Sequence, residues 1–446
     1  MHARWALSAG HRMTTGEGES VRVVYPGIPA GSSGPDYKDA VVVFEQSGLV
    51  QGDVELHLWG HDWHRHGHDT DPAYDRVVLH VVGDPCSRTR TCLAGGRDVP
   101  MVVLDATERA REESALPCSG RAERETESLS GLLARAGIAR LLSRAGRIVV
   151  EMVGIEPWKV LAHRSARALG YSANADALLE LGWLLTSPGV LPLLSDSDCE
   201  RRRVMVVGLA GLLPSQRPGG GLLASGDMPQ WESWWGEVDG GAQSLSPRLW
   251  KMSGLYPNNS PVRRVVALAD LWPRLERLAE TALEQVIRRQ ERPRGLALWL
   301  EQQYRLVGTT YWRHHYDFGR RTRESDLVGG SKAREVVVNA LLPFVTACAM
   351  ASGDVSHVAA VARLLSAYPP APAHAVTRHM QRQLGLARGG ATAAVQQGML
   401  HVYGEYCRRG LCARCPLGSE QTRVVLPGRE TFIDASAAIR RAISSG

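Results

Sequence analysis

The sequence predicts an α+β protein in which a small sheet-containing module precedes a large, mostly α-helical region. Residues 20–105 hold short, Val-rich apolar runs with Gly, Pro or Asp close by, which is typical of strands. From about residue 128 the apolar residues take the i, i+3, i+4 spacing of helices, and no internal repeat is visible. We expect a mixed-sheet module over 1–120, a helical region over 121–390 and a C-terminal helix with a cysteine cluster over 391–446.

The predicted elements follow one another in a simple order. The strands are Val21–Tyr25, Ala40–Phe44, Val54–Leu58, Val77–Val82 and Met101–Leu104. After a charged segment at 106–127, helical spacing begins at Leu129 and Leu132 and continues at 160–185, 200–213, 262–290, 296–307, 333–350, 355–367 and 391–407. The switch from period 2 to period 3.6 divides the chain into its two predicted parts.

The composition is that of a globular chain with an unusual basic content. A length of 446 residues with 22% charged residues favours two or three domains and excludes a wholly disordered or fibrous protein. Only Lys38, Lys159, Lys251 and Lys332 are lysines among 52 basic residues, so 48 are arginines. Arg binds phosphate in a bidentate manner, which suits nucleic acid, but the codon usage of a GC-rich genome explains the excess equally simply.

Other patterns narrow the class of protein. The first twenty residues carry charges and no apolar run, and no run of about 18 apolar residues follows, so we expect a cytoplasmic protein without a membrane span. No GxxxxGK loop is present, so we expect no ATP-driven activity. Eight cysteines are too few for a disulfide scaffold, and clustered ones are therefore candidate metal ligands.

A histidine-rich segment marks the candidate site. Six of the 15 histidines lie between residues 57 and 80: His57, His61, His64, His66, His68 and His80. Neutral imidazoles near carboxylates are ligands for zinc, iron or manganese. A solvated polar loop is the alternative, and His61 and His64 are the members that we expect to take no part.

Two carboxylates lie next to this segment. Asp36 leads into one predicted strand and Glu55 lies in the next, two residues before His57 and on the same face. If the strands form a hairpin, both carboxylates can bind one hard divalent cation, with His57 orienting or deprotonating a metal-bound water. On spacing alone, two unrelated surface carboxylates are the alternative.

Pro35-Asp36, followed nineteen residues later by Glu55-Leu56-His57, resembles the PD-(D/E)XK nuclease signature. The resemblance implies a restriction-endonuclease-like module in which Asp36 and Glu55 hold Mg²⁺ or Mn²⁺. His57 stands where that superfamily usually has Lys, which puts the identity of the general base in doubt. His66, His68 and His80 would complete or flank this metal site.

A longer series of motifs resembles a bacterial family catalogued as domain of unknown function 2851. In order they are GPDYKDA, GDVELH, DWHRHGHD, AYDRVVLHVV, ALGYSAN, YPNNSPVRRVVALA, VVVNALLPFV and HVYGEYCRRGLCARCPLG, and they span about residues 14 to 420. The resemblance implies membership of that family and brings no activity with it. The nuclease interpretation therefore depends on the carboxylate and histidine pattern.

Three cysteines near the C-terminus form a second candidate metal site. Cys407, Cys412 and Cys415 can supply three thiolates, and the fourth ligand is either His401 or the distant Cys118. With His401 the site suits zinc, whereas four thiolates suit zinc or an iron–sulfur cluster. The second layout is similar to that of PD-(D/E)XK nucleases that carry such a cluster. Three unrelated reduced cysteines at a helix end are the alternative.

We therefore expect a metal-dependent nuclease that hydrolyses phosphodiester bonds in DNA or RNA. Arg263, Arg264, Arg320 and Arg321 are the arginines predicted to contact nucleic acid, although solvated helix faces are the simpler interpretation of each pair. Two rival hypotheses remain open. One is a zinc or iron hydrolase that acts on a small molecule through the histidine cluster, and the other is a non-catalytic nucleic-acid-binding protein. The sequence predicts no oligomeric state.

Overall fold

The computed structural model describes residues 1–30, 34–85, 87–104, 116–119, 121–195, 197–218, 228–238, 243–387 and 391–417. Most of the charged segment predicted at 106–127, and the part of the C-terminal segment after residue 417, lie outside the described residues or their described side chains. The chain forms two compact units. Among the described residues, unit 1 consists of those up to Arg140 and those from Ala373 onward, and unit 2 consists of those between Leu141 and Pro372.

Unit 1 contains an eight-stranded mixed sheet. Its strands are β1 (Arg12–Thr14), β2 (Ser20–Tyr25), β3 (Ile28–Pro29), β4 (Tyr37–Phe44), β5 (Gly48–Trp59), β6 (Val77–Asp84), β7 (Arg90–Cys92) and β8 (Asp98–Val103). The order is β1-β2-β4-β5-β6-β8-β7, with β3 paired to β4. The pairs β5–β6 and β6–β8 are parallel and the other pairs are antiparallel.

The predicted α+β class and all five predicted strands are confirmed. The expected hairpin between β4 and β5 is also present. Its register shifts between Tyr37 and Ala40, where Asp39 takes a left-handed backbone conformation with φ of +56°. Such a bulge bends the strand and turns its side chains locally. Gly27 is required beside it, because a Cβ there would lie 2.6 Å from the carbonyl oxygen of Lys38.

The helices, in chain order, are α1 (His2–Ala6), α2 (Asp62–Arg65), α3 (Arg121–Met152), α4 (Pro157–Leu169), α5 (Ala175–Leu185), α6 (Leu191–Ser195), α7 (Cys199–Leu209), α8 (Met228–Val238), α9 (Pro261–Arg288), α10 (Pro293–Tyr304), α11 (Thr310–His314), α12 (Gly330–Val336), α13 (Leu342–Ser352), α14 (Val355–Ala367), α15 (Ala375–Leu384) and α16 (Ala393–Glu405). Each stretch with predicted helical spacing is helical over most of its length. The predicted helix at 160–185 is interrupted by a turn between α4 and α5. Helices α1, α2, α6, α8, α11 and α15 were not predicted.

Unit 1 has a hydrophobic core on its sheet and a second one among its helices. Trp5 of α1 packs with sheet residues such as Val54, Leu56 and Val81. The second core joins Tyr25 and Val41 of the sheet to α3, α15, α16 and the cysteine segment; its members include Leu129, Leu133, Met380, Met399 and Val402. Unit 1 therefore unites the first and the last parts of the chain.

Helices α3 and α16 cross at very short range within unit 1. A Cβ on Gly137 would lie 2.0 Å from the carbonyl oxygen of Ala394, and one on Gly398 would lie 1.9 Å from that of Leu133. No side chain fits at these positions, so the two glycines allow backbone-to-backbone contact between the helices.

Unit 2 is mostly helical, with a small two-stranded sheet of β9 (His315–Asp317) and β10 (Arg320–Arg321). Helix α9 is buried along most of its first three turns. A π-helical stretch, Val337–Leu341, joins α12 to α13. By length and composition the combined stretch Gly330–Ser352 could cross a membrane, but 67% of its most apolar window is buried inside the structure, as in the core helix of a globular protein.

Candidate metal centre

The site is built on β5, whose central position in the sheet buries polar side chains. Asp53, Glu55 and His57 alternate along this strand and are 1%, 6% and 6% exposed. Because side chains in a strand point alternately to opposite faces, these three share one face, whereas Val54 and Leu56 pack into the core on the other. Buried ionisable groups on one face of a central strand need partners.

Three imidazoles converge on this face. The ligand atoms of His57, His66 and His68 all lie within 4.8 Å of one another, which no other group of three His, Cys, Asp or Glu side chains achieves among the described residues. His57 Nε2 lies 3.1 Å from His66 Nδ1, and the rings of His57 and His68 stack with centroids 5.3 Å apart. Three imidazoles at such separations can bind one transition-metal ion.

The segment after β5 brings His66 and His68 to the strand. The short helix α2 ends just before His66, and Gly67 follows with φ of +73°, a conformation that favours glycine. Tyr74 stacks on His68 with centroids 3.8 Å apart. Trp63, which is fully buried, contacts the His57 and His68 rings edge-on and donates from Nε1 to the carbonyl of Cys92. These aromatic contacts fix the loop that carries two of the three imidazoles.

Asp36 and Glu55 lie side by side at the start of β4 and the middle of β5. The backbone N–H of Asp36 donates to Glu55 Oε2 at 2.8 Å, and the N–H of Leu56 donates to Asp36 Oδ2 at 3.1 Å. Glu55 Oε1 faces the imidazoles, 3.6 Å from His57 Nε2 and 3.5 Å from His68 Nε2. The hairpin therefore places Asp36 next to Glu55, and the Asp36 backbone holds the Glu55 carboxylate beside the imidazoles.

His57 is oriented by a hydrogen-bonded series inside the sheet. Its Nδ1 lies 2.9 Å from Nε2 of His80, and Nδ1 of His80 lies 2.8 Å from Oγ1 of Thr91. Both ring nitrogens of His80 are engaged in these contacts and its side chain is fully buried, so His80 flanks the group of three imidazoles in this structure. If His57 Nε2 binds a metal, its Nδ1 carries the proton and donates to His80, which in turn donates to Thr91.

The electrostatics of the site favour neutral side chains. Burial, followed by the nearby His68 and His66, lowers the pKa of His57 to about 4. Burial, followed by His57, lowers the pKa of His80 to about 3. Burial, followed by the Asp36 carboxylate, raises the pKa of Glu55 to about 8. Neutral imidazoles at physiological pH are the form in which histidine binds metals.

The other two histidines of the segment lie outside the group. His64 hydrogen-bonds to Asp69 at 2.8 Å and to Arg88 at 2.6 Å. His61 stacks on Trp59 and has a side chain that is 59% exposed. These are the two histidines that the sequence predicts to take no part in the site, and both have partners at the surface.

Some of the residues that shape the site have no signal in the sequence. Thr91 lies in β7, at the edge of the sheet, and nothing in its local pattern points to His80. The burial of Trp63 and Tyr74 against the imidazoles likewise depends on the path of the loop. An aromatic pair that flanks a run of histidines is the one sequence feature that could have indicated a built pocket.

The predicted cysteine ligands divide into two sets. Cys118, Cys407, Cys412 and Cys415 line one pocket in unit 1. His401 is not among the residues that line this pocket, so the structure groups the trio with Cys118, and the fourth ligand of a metal stays a prediction.

Of the four arginines predicted to contact nucleic acid, two are buried and two are exposed. Arg263 and Arg264 are 0% and 4% exposed, and they donate to backbone carbonyls, those of His315 and Leu327 among them. Both side chains are therefore engaged in the interior of unit 2 at the buried start of α9, and their contact with nucleic acid stays a prediction. Arg320 and Arg321, in contrast, are exposed on β10.

Residues 2–373 match the model of a family described as "Protein of unknown function (DUF2851)". No curated protein and no solved structure matches the chain. The likeness of the N-terminal module to PD-(D/E)XK nucleases therefore stays a prediction.

Proposed function

We propose that this chain, which belongs to the DUF2851 family as its motifs predicted, is a metal-dependent hydrolase that cleaves phosphodiester bonds. The observation that carries the proposal is the convergence of His57, His66 and His68 beside the Glu55 carboxylate. Catalytic metal sites commonly have three protein ligands and leave the next position to water.

The donor set changes the metal that we expect. Mg²⁺ prefers oxygen ligands, whereas imidazole suits zinc, iron and manganese. We therefore propose a transition metal held by the three imidazoles, in place of Mg²⁺ held by Asp36 and Glu55. His57 then serves as a ligand and no longer as the substitute for the usual Lys.

Glu55 is the carboxyl group that faces the imidazoles, and a metal ion bound there would favour its ionised form, in which it can accept the proton of the attacking water. Its Oε1 faces the nitrogens of His57 and His68, while its Oε2 is held by the Asp36 N–H. A metal held by His57, His66 and His68 would lower the pKa of a bound water and so supply a nucleophile for the phosphodiester. Asp36 positions Glu55 in this scheme.

The surroundings favour an anionic substrate. Arg65 ends α2 immediately before His66, and Lys38 lies in β4, the strand that pairs with β5. Both side chains are substantially exposed while they pair with Asp62 and Asp53. Cations beside a metal centre attract a phosphodiester, which is the reason to place nucleic acid before a neutral small molecule. A nucleic-acid substrate is also consistent with a cytoplasmic protein.

Two variants and one control test the proposal on the purified chain. Metal content and cleavage of single- and double-stranded DNA and of RNA are measured with Zn²⁺, Mn²⁺, Fe²⁺ and Mg²⁺. We expect Glu55→Gln to keep the metal and lose cleavage, and His66→Ala to lose both. His64→Ala removes a neighbouring histidine outside the group and should change neither.

The results separate the rival functions. Cleavage of a small phosphodiester or carboxylic ester, with all nucleic acids inert, would favour the small-molecule hydrolase, which the imidazole-rich donor set also suits. Salt-dependent binding of nucleic acid without cleavage under any metal would favour a non-catalytic protein. Metal binding that survives His66→Ala would contradict the site itself.

A further inference from the structure

Four cysteines from distant parts of the chain line one pocket of unit 1. Cys118 follows the sheet, whereas Cys407, Cys412 and Cys415 lie close to the end of the described chain. Tyr25 of β2 also lines the pocket. The fold therefore brings a remote thiol to a compact trio, although nothing in the local sequence around Cys118 requires it.

The three C-terminal cysteines are positioned by two short turns. Cys407–Arg409 and Cys412–Arg414 are single 3₁₀ turns, and Gly410 between them has φ of +67°. A Cβ on Gly410 would lie 2.9 Å from Cγ1 of Val41, so the connection between the two turns packs directly on β4. The close packing on the sheet holds the three thiols at one place.

The thiols are buried and reduced. Cys118, Cys407 and Cys415 are 7%, 4% and 4% exposed, and Cys412 is half-buried. None of the four is in a disulfide bond within the described part of the chain. The side-chain amide of Gln383 also donates to Cys118 Sγ at 3.2 Å.

We propose that Cys118, Cys407, Cys412 and Cys415 form a four-thiolate site for a soft metal centre, without His401. Thiolates select zinc or iron–sulfur clusters, and a site filled by four protein ligands is structural. Four thiolates can hold either a single zinc ion or an iron–sulfur cluster, so the experiment must distinguish the two.

The site would fasten the C-terminal segment to the sheet. Metal binding by a site that spans distant residues contributes directly to folding free energy. We therefore expect the metal to stabilise unit 1 whether or not the proposed hydrolase site is active.

The experiment measures metal and sulfide in the full-length chain purified without oxygen, in a His66→Ala background that removes the other proposed metal. We expect either about one zinc per chain, or iron and sulfide with visible absorption, both of which support the four-thiolate site. Cys412→Ser, at the least buried position, should lose that metal and lower the Tm. Cys348→Ser and His401→Ala should keep it.

A titration of the unmodified protein guards against variants that fail to fold. A mercurial reagent is added stepwise to react with the thiols, and the release of metal or the bleaching of the absorption is followed. We expect the release to be complete when four thiols have reacted. Anaerobically purified protein with no bound metal would overturn the proposal, as would equal loss of metal in His401→Ala. Failure of the hydrolase proposal leaves both measurements unchanged.

Discussion

His80 lies 2.9 Å from His57 and 2.8 Å from Thr91, so that a buried imidazole connects a proposed metal ligand to a hydroxyl at the edge of the sheet. The arrangement fixes which nitrogen of His57 faces the ion. Partners of this kind, which orient a ligand without touching the metal, are commonly worth 10- to 100-fold in metal affinity.

Thr91→Val should therefore weaken metal binding about 10- to 100-fold, because the series loses its terminal hydroxyl while the volume of the side chain is kept. Thr91→Ser retains the hydroxyl and should bind metal nearly as tightly as the unmodified protein. Competition with a chromophoric chelator measures both affinities. Equal affinity in Thr91→Val would show that His80 needs no partner to orient His57.

The buried His163 should make stability depend on pH. Its Nε2 lies 2.8 Å from Thr186 Oγ1, and burial, followed by Arg164 and Lys159, lowers its pKa to about 4. The unfolded chain takes up this proton near pH 6.5 and the folded chain does not, so stability is present above pH 6.5 and is lost between pH 6.5 and 4.

The size of this effect is at most about 3 kcal/mol, from roughly 1.4 kcal/mol for each unit of pKa. His163→Gln keeps a polar group near Thr186 and does not titrate. Urea unfolding monitored by circular dichroism at pH 7.5 and 4.5 should show a smaller loss of stability for this variant. Identical losses in both proteins would indicate that His163 is protonated without cost in the folded state.

Gly398→Ala should destabilise unit 1 by about 1–3 kcal/mol or more, because the new methyl group would collide with the backbone of Leu133 and force α3 and α16 apart. Gly404 lies in the same helix with open space around it, so Gly404→Ala should be neutral or stabilising by up to about 1 kcal/mol. Thermal unfolding of the two variants compares them directly. A stable Gly398→Ala protein would contradict the close contact.

Arg320→Ala combined with Arg321→Ala should weaken nucleic-acid binding and reduce the slope of log affinity against log salt by up to about 2, if each arginine neutralises one phosphate. Arg288 is also exposed but pairs with Glu284, and Arg288→Ala serves as the control. Fluorescence anisotropy of a labelled oligonucleotide at several salt concentrations gives the slopes. An unchanged slope in the double variant would exclude β10 from the interface.

Much of the fold follows from local patterns, whereas the site depends on pairing between distant segments. Period-2 alternation predicts that Glu55 and His57 share a face, whereas the sequence leaves open whether a hairpin brings Asp36 to them. The role of His80 could not be predicted in this way, because it depends on the parallel register that sets His80 opposite Glu55 after a crossover. The burial of Arg263 could not be predicted either, because an arginine on a helix segment buried on all sides has the same local spacing as one on a solvated face.

Because unit 1 combines the first and the last parts of the chain, it cannot be completed until synthesis is nearly finished. Its first part ends at Arg140 and its remaining part begins only at Ala373, so the ribosome makes about 230 residues in between. At roughly 5–20 residues per second this interval lasts about 10–50 s. Throughout it Tyr25 and Val41 lack the α15, α16 and cysteine segment that later bury them. The nascent sheet must therefore remain soluble while half-covered, which makes this stage the point at which the chain is most exposed to aggregation or to binding by chaperones.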